Sequence, residues 1–233
     1  MSNAITNTLT STDMIATNAL TLIPMIISII SLLVSLIIAY LVYLRPANPK
    51  MLVNTLLSFY PMPGNPNPSA VGFYLPITFY NWSPTGGSIL EVRMIVSHTD
   101  NPSQNFDMMW LDFNDTIELE DGRPKWELTG KAQPIAIPGR SSISKTIRFG
   151  WFFYGNSPMN IREGRYRVIV LAWTHTKKKP NLKEEFFFTI TNEQMLVYQQ
   201  HITNQTPLTI EVFLRENSRS NNIFTDEQVK QLY

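Results

Sequence analysis

Phe73-Tyr-Leu-Pro-Ile-Thr-Phe-Tyr80 places an apolar side chain at every second position: Phe73, Leu75, Ile77 and Phe79 alternate with Tyr74, Pro76, Thr78 and Tyr80. Successive side chains of an extended chain point to opposite faces, so this spacing predicts a strand with one face in a core. Leu90-Glu-Val-Arg-Met-Ile-Val96 repeats the pattern. Further runs follow at 106–113, 116–120, 133–137, 145–154, 165–173, 185–191 and 208–214, and one precedes at 51–59. Between them, Ser83-Pro-Thr-Gly-Gly87, Asp121-Gly122, Pro138-Gly139 and Gly155-Asn156 supply the proline-set and positive-φ positions of turns. Short strands at this spacing predict a mainly β fold, an antiparallel sandwich over residues 51–216.

Upstream the pattern changes. Residues 20–44, LTLIPMIISIISLLVSLIIAYLVYL, contain no charge. A helix of that length spans roughly 37 Å, against about 30 Å of bilayer hydrocarbon. A secretory signal needs a basic n-region, a shorter apolar run and a small-residue cleavage site. Residues 1–19 carry no Lys or Arg, and the run ends in Tyr40, Tyr43 and Arg45. The chain therefore divides into an N-terminal tail (1–19), a transmembrane helix (20–44), a Pro-rich linker (45–50), the β domain (51–216) and a C-terminal linker with a short helix (217–233). Arg45 and Lys50 follow the apolar run, while only Asp13 precedes it. The positive-inside bias thus predicts an outside N-terminus and a cytoplasmic β domain.

Two short C-terminal helices are expected. Thr191-Asn-Glu-Gln194 and Thr225-Asp-Glu-Gln228 each offer a hydroxyl cap with Gln three residues on. No Cys is present, so no disulfide framework supports the domain. A net charge of +1 argues against nucleic acid as a partner. The triplets at Asn81, Asn114 and Asn204 are glycosylation sequons only if the domain faces a secretory lumen.

Ile137-Pro-Gly-Arg-Ser-Ser-Ile-Ser-Lys-Thr-Ile-Arg-Phe149, followed by Glu163-Gly-Arg-Tyr-Arg-Val-Ile-Val170, resembles the late strands of immunoglobulin-like sandwiches. Phe73 to Asn81 followed by Gly86-Gly87 is similar to a strand and glycine turn of immunoglobulin-like adhesion modules. Val168 stands where antibody-type domains have their second Cys, so the resemblance does not imply the disulfide-bearing subtype. The whole layout resembles uncharacterised bacterial single-pass membrane proteins with one such sandwich, which implies architecture rather than activity.

Ser31, Ser35 and Ala39 recur every four residues, with Ser28 beside them, and so mark one face of the apolar helix. Small residues at this spacing allow two transmembrane helices to approach closely. Pro24 is read as lying in the first turns, where its missing donor costs least. Lys177, Lys178 and Lys179 sit in an expected hairpin and would touch anionic lipid headgroups if that loop faced the membrane. Asp112, Asp115, Glu118, Glu120 and Asp121 lack the spacing of a calcium loop and read as a turn and a solvated strand face. His98, His175 and His201 have no ligand-spaced neighbours and read as surface or turn histidines, so no metal is expected. No G-x-S-x-G, phosphate-binding loop or G-x-G-x-x-G is present. These features point to a membrane-tethered, non-catalytic sandwich without a cofactor. It would act as a protein-interaction or assembly module, with self-association through the helix. The alternative is an anchored sensor whose sandwich binds a ligand and changes helix association.

Overall fold

The computed structural model describes residues 11–62, 70–118, 124–152, 157–176, 179–204 and 209–214. Two compact units divide between Pro46 and Ala47.

The first unit is helical. Helix α1 (Ser11–Ala39) runs into a wider, π-type stretch, Tyr40–Leu44, closed where Arg45 N donates to Tyr40 O at 2.8 Å. It starts well before residue 20, so Pro24 lies inside the helix and not in its first turns. Proline there removes one donor from the helical ladder. The Ser28 hydroxyl donates to the Pro24 carbonyl at 2.8 Å, in the turn that follows. Leu22–Leu44 is long and apolar enough to cross a membrane, and its large side chains lie exposed all round the helix.

The second unit is mainly β. Its strands are β1 (Lys50–Val53), β2 (Leu56–Pro61), β3 (Val71–Asn81), β4 (Gly87–Ile89), β5 (Glu91–His98), β6 (Phe106–Glu118), β7 (Pro124–Lys131), β8 (Ile135–Ile137), β9 (Ser141–Trp151), β10 (Gly164–Trp173), β11 (Leu182–Ile190) and β12 (Ile210–Phe213). Helix α2 (Asn192–Asn204) lies between the last two. Ten strands form one antiparallel sheet in the order β11-β10-β5-β6-β9-β3-β2-β12, with β1 on β3 and β7 on β6, while β4 and β8 form a separate pair.

Two separate sheets were expected; the structure has one that bends. β6 pairs with β5 from Phe106 to Met108 and with β9 from Met109 to Asn114, so a single strand passes from one half to the other. The register slips between Trp110 and Asp112, the kind of bulge that bends a strand. The sheet curls until β11 approaches β1 and β12, which nearly closes it like a barrel. Phe59, Phe73, Leu75, Ile147 and Phe149 from one half share a core with Val96, Val168, Val170 and Phe188 from the other.

The expected run 51–59 is interrupted. β1 and β2 both pair with β3, above and below a break at Asn54 and Thr55. Pro76 sits opposite, and its carbonyl accepts from Asn54 N at 3.0 Å. The N–H and C=O of one residue point to the same side of a strand, so the donor that Pro76 lacks falls at the break, where the ladder is interrupted anyway. The Thr191 capping box forms as read: Gln194 N donates to Thr191 Oγ1 at 3.3 Å and Thr191 N to Gln194 Oε1 at 3.0 Å. It opens α2, which buries Met195 and Tyr198. The second box, at Thr225 to Gln228, lies outside the described residues.

Candidate functional site

The outer face of β3 and β9 carries Tyr74, Pro76 and Thr78 beside Arg148, Thr146 and Ser144, paired in register. One end of this face is closed over. Tyr60 and Tyr74 stack at 5.0 Å, and Trp126 of β7 lies on Tyr74 at 4.3 Å and 9°. Tyr60 is placed by Gly72, whose backbone it crosses: a Cβ on Gly72 would stand 2.2 Å from the Tyr60 ring. Beneath the stack, Arg148 Nε donates to Asp112 Oδ1 at 2.8 Å, and Arg148 Nη2 donates to Asp112 Oδ2. Asn114 Nδ2 donates to Asp112 Oδ1 at 2.5 Å.

This network corrects the reading of the acidic run. Asp112 and Asp115 lie within one continuous strand, not around a turn. The bulge before Asp112 turns its carboxylate toward Arg148 beneath the stack, where it is 1% exposed. A bidentate arginine is the partner such a carboxylate needs. Burial works against the charged guanidinium of Arg148, but hydrogen bonding to Asp112 and the nearby charges outweigh it and hold its pKa above the ordinary value. Burial also pushes the Tyr60 phenol well up, with Tyr74 adding and Arg148 opposing.

The rest of the face is open. A trough of about 490 Å³ is floored by Pro76, Thr78, Ser144 and Thr146. Residues 52–55, at the β1–β2 break, form one wall, and Asp115 stands on the other side with Lys145. Thr78 Oγ1 and Ser144 Oγ share a hydrogen bond of 2.8 Å. The Lys145 ammonium lies over the Phe113 ring, 5.7 Å from its centre. The lining thus offers hydroxyl donors and acceptors and includes Asp115, whereas Lys145, paired with the core residue Ile77, turns its ammonium to the other face, over Phe113.

The other sequence-read candidates are dispersed. Ser35 Oγ donates to Ser31 O at 2.8 Å and Ser28 Oγ to Pro24 O, so both hydroxyls are bonded within their own helix. Lys177 and Lys178 lie outside the described residues, and Lys179 is exposed. Asp115 lines the trough, whereas the side chain of Glu118 and all of Glu120 and Asp121 lie outside the described residues. His175 is exposed. His98 is buried, contrary to the surface reading. Its Nδ1 accepts from Asp100 N at 3.2 Å and faces Arg162 Nη2 at 3.0 Å, while Nε2 reaches Glu163 O at 3.2 Å. The ring is filled in by Tyr166, edge-on at 4.8 Å. Among the described residues no group of three or more His, Asp or Glu converges as metal ligands do. Asn81 and Asn114 are buried and hydrogen-bonded, which removes both sequons from the folded surface.

No protein-family model matches the chain, and no curated protein matches it either. Among solved structures it is similar to the β-glucosidase from Listeria innocua in complex with glucose, at 12% identity and a TM-score of 0.31, over 63% of this chain and 16% of that one. It is similar to a Bordetella pertussis protein assigned as ApaA, at 8% identity and a TM-score of 0.30, over 75% of this chain and 98% of that one. A β-glucosidase from Erythrobacter marinus matches at 10% identity and a TM-score of 0.28, over 60% and 15%. The chain therefore spans a small part of the glucosidases, and none of these likenesses is close enough to carry an argument.

Proposed function

We propose that this chain is a single-pass, membrane-tethered β domain that works as a protein-interaction or assembly module. The observation that carries this reading is the helix over Leu22–Leu44. It exposes apolar side chains on every face, a surface that water penalises and lipid accepts. Arg45 and Lys50 follow it and favour a cytoplasmic domain. The layout is that of bacterial single-pass proteins with one sandwich. The β domain is taken as an immunoglobulin-like sandwich whose two halves are joined through β6.

The trough is the docking site in this reading. A floor of Thr78, Ser144 and Thr146 suits the amides of an extended polypeptide segment, which needs alternating donors and acceptors. Ser144 is hydrogen-bonded to another hydroxyl and not to a base, which supports a non-catalytic role. Tethering confines the trough to the membrane plane and raises its effective concentration toward a membrane partner.

The volume of the trough supports a second reading, the ligand-sensing one. About 490 Å³ falls within the range of small-molecule sites. One experiment separates the two. A photo-crosslinking residue at position 146, in the full chain in native membranes, should give a discrete protein adduct, and Thr78→Arg, which fills the floor, should abolish it. No adduct at 146, together with a melting temperature raised by a small polar molecule, would replace the module by the sensor. Adducts that form equally from Thr189, exposed near the far end of β11, would discard the trough altogether.

A further inference from the structure

Trp82 is 76% exposed, yet the loop that carries it is tightly built. Asn81 Oδ1 accepts from Ser83 N at 3.1 Å and from Asn48 N at 3.2 Å, while its Nδ2 donates to Thr85 O at 2.8 Å. Arg140 N donates to Ser83 O at 2.9 Å. Gly139 packs so close that a Cβ there would stand 1.8 Å from Pro84 O. Tyr80 supports the indole edge-on, with ring centres 5.8 Å apart. A large side chain with an apolar body and a polar N–H is thus held outward by a fixed frame.

The same end of the β domain brings basic residues together. Lys50 pairs with Tyr80 and Ser141 with Asn81, so the starts of β1 and β9 lie at this end. Leu90 N donates to Trp173 O at 2.7 Å, which brings the β10–β11 hairpin to this end as well. Lys50, Arg140 and Lys179 are all exposed here. Residues 82–90, 138–140 and 174–181 contain no Asp or Glu, while β6 ends on this side of the sheet at Glu118. Glu91, at the start of β5, is engaged by Arg93 at 2.5 Å.

Chain connectivity ties this end to the apolar helix. Asn48, held by Asn81, is four residues beyond Leu44. Four residues reach at most about 14 Å, whatever angle the two units take. The headgroup zone is about 6 Å deep on each side of a bilayer, so the reach is sufficient.

We infer that this end of the β domain is a lipid-contact surface: Trp82 enters the headgroup zone, while Arg140, Lys50 and Lys179 bind anionic headgroups. The inference rests on the reading of Leu22–Leu44 as a membrane span. Tryptophan is favoured at the depth where an apolar ring meets polar headgroups. Each basic residue near an anionic surface contributes about fivefold to the docked population. The surface would fix the domain on the membrane and leave the trough, on the outer face of the sheet, for a partner.

The cysteine-free chain lends itself to a single-site test. Full-length protein with a nitroxide on Leu33→Cys, Thr85→Cys or Ser103→Cys is placed in vesicles of phosphatidylcholine, with and without phosphatidylserine. Accessibility to oxygen, which enriches in lipid, is compared with accessibility to a water-soluble nickel chelate. Position 33 should be lipid-exposed. Position 85 should be shielded from nickel relative to position 103, at the far end of β5. That shielding should grow with phosphatidylserine and weaken at high salt. It should fall about fivefold in docked-to-free ratio for each of Arg140→Gln and Lys179→Gln, and it should fall for Trp82→Ala. A water-exposed position 33 would refute the span itself. A lipid-exposed position 33 with position 85 as open to nickel as position 103 would overturn the lipid-contact surface alone. Shielding indifferent to phosphatidylserine, salt and both charge substitutions would overturn the anionic recognition.

Discussion

Removing Arg148 should destabilise the β domain more than removing the charge of its partner Asp112. The Asp112 side chain is 1% exposed, whereas that of Arg148 is 29% exposed. Arg148→Met leaves a carboxylate enclosed beneath the stack with, among the described residues, Asn114 donating to it. Breaking a buried pair in this way costs about 3–5 kcal/mol, most of it the uncompensated charge. Asp112→Asn leaves a guanidinium that water still reaches, and the new amide keeps an oxygen to accept from it. That loss should be nearer 1–2 kcal/mol, the range for weakened hydrogen bonds to a charged group. With a urea slope of about 2 kcal/mol per M, the two midpoints should fall by about 2 M and about 0.7 M. The assay is urea unfolding of the full chain in mild detergent, followed by tryptophan fluorescence. The double variant should be less destabilised than the sum of the two, because Arg148→Met then leaves no buried charge. Equal losses for the single variants, or strict additivity, would refute the argument that Asp112 is the enclosed partner.

Three further outcomes follow from other sites. Gly72→Ala should cost about 1–3 kcal/mol by overpacking, since its Cβ would strike the Tyr60 ring, and Tyr60→Leu should recover part of that loss; a neutral Gly72→Ala would show that the ring is not fixed there. Burial raises the pKa values of Tyr60, Tyr166 and Tyr198 in the folded state. The unfolded chain releases these protons near pH 10 while the folded domain keeps them, so stability is full below about pH 10 and falls as pH rises beyond it. An ultraviolet titration should show these phenols ionising only on unfolding, and early, reversible ionisation of every tyrosine would contradict the burial. In the helix, Ser28 and Ser35 already bond within their own chain, so any association at this stripe must rest on close approach. Ser35→Leu should therefore weaken crosslinking in detergent while Ser35→Ala leaves it intact, and similar behaviour of Ser35→Leu and Leu33→Ala would dismiss the seam.

The strands that alternate cleanly were legible because burial on one face writes itself into the sequence at period two. β3, β5 and β10 fall within a residue or two of the expected runs. β7 was not legible: Pro124-Lys-Trp-Glu-Leu-Thr-Gly-Lys131 has only two large apolar residues, and one of them, Leu128, is exposed. That strand depends on pairing with β6 and on Trp126 lying over Tyr74, neither of which is local. The charges at Asp112 and Asp115 suggested a turn, because the sequence does not reveal that Arg148, 36 residues away, neutralises the first of them. The trough was invisible for a related reason. Its floor comes from β3 and β9, and its walls depend on the break at Asn54 and on a register that only the folded sheet sets. The lysines of the β10–β11 hairpin were legible as a possible headgroup contact. Trp82 and Arg140 were not, because their shared corner is assembled by Asn81 and Ser83 across distant loops.

The tether requires the helix over Leu22–Leu44 to lie in a bilayer, and alkaline carbonate extraction tests that directly. Membranes from cells making the full chain are washed with carbonate and sedimented. The protein should remain in the pellet until detergent dissolves the lipid. Full-length protein released into the carbonate supernatant would contradict the tether and, with it, both the interaction module and the lipid-contact surface.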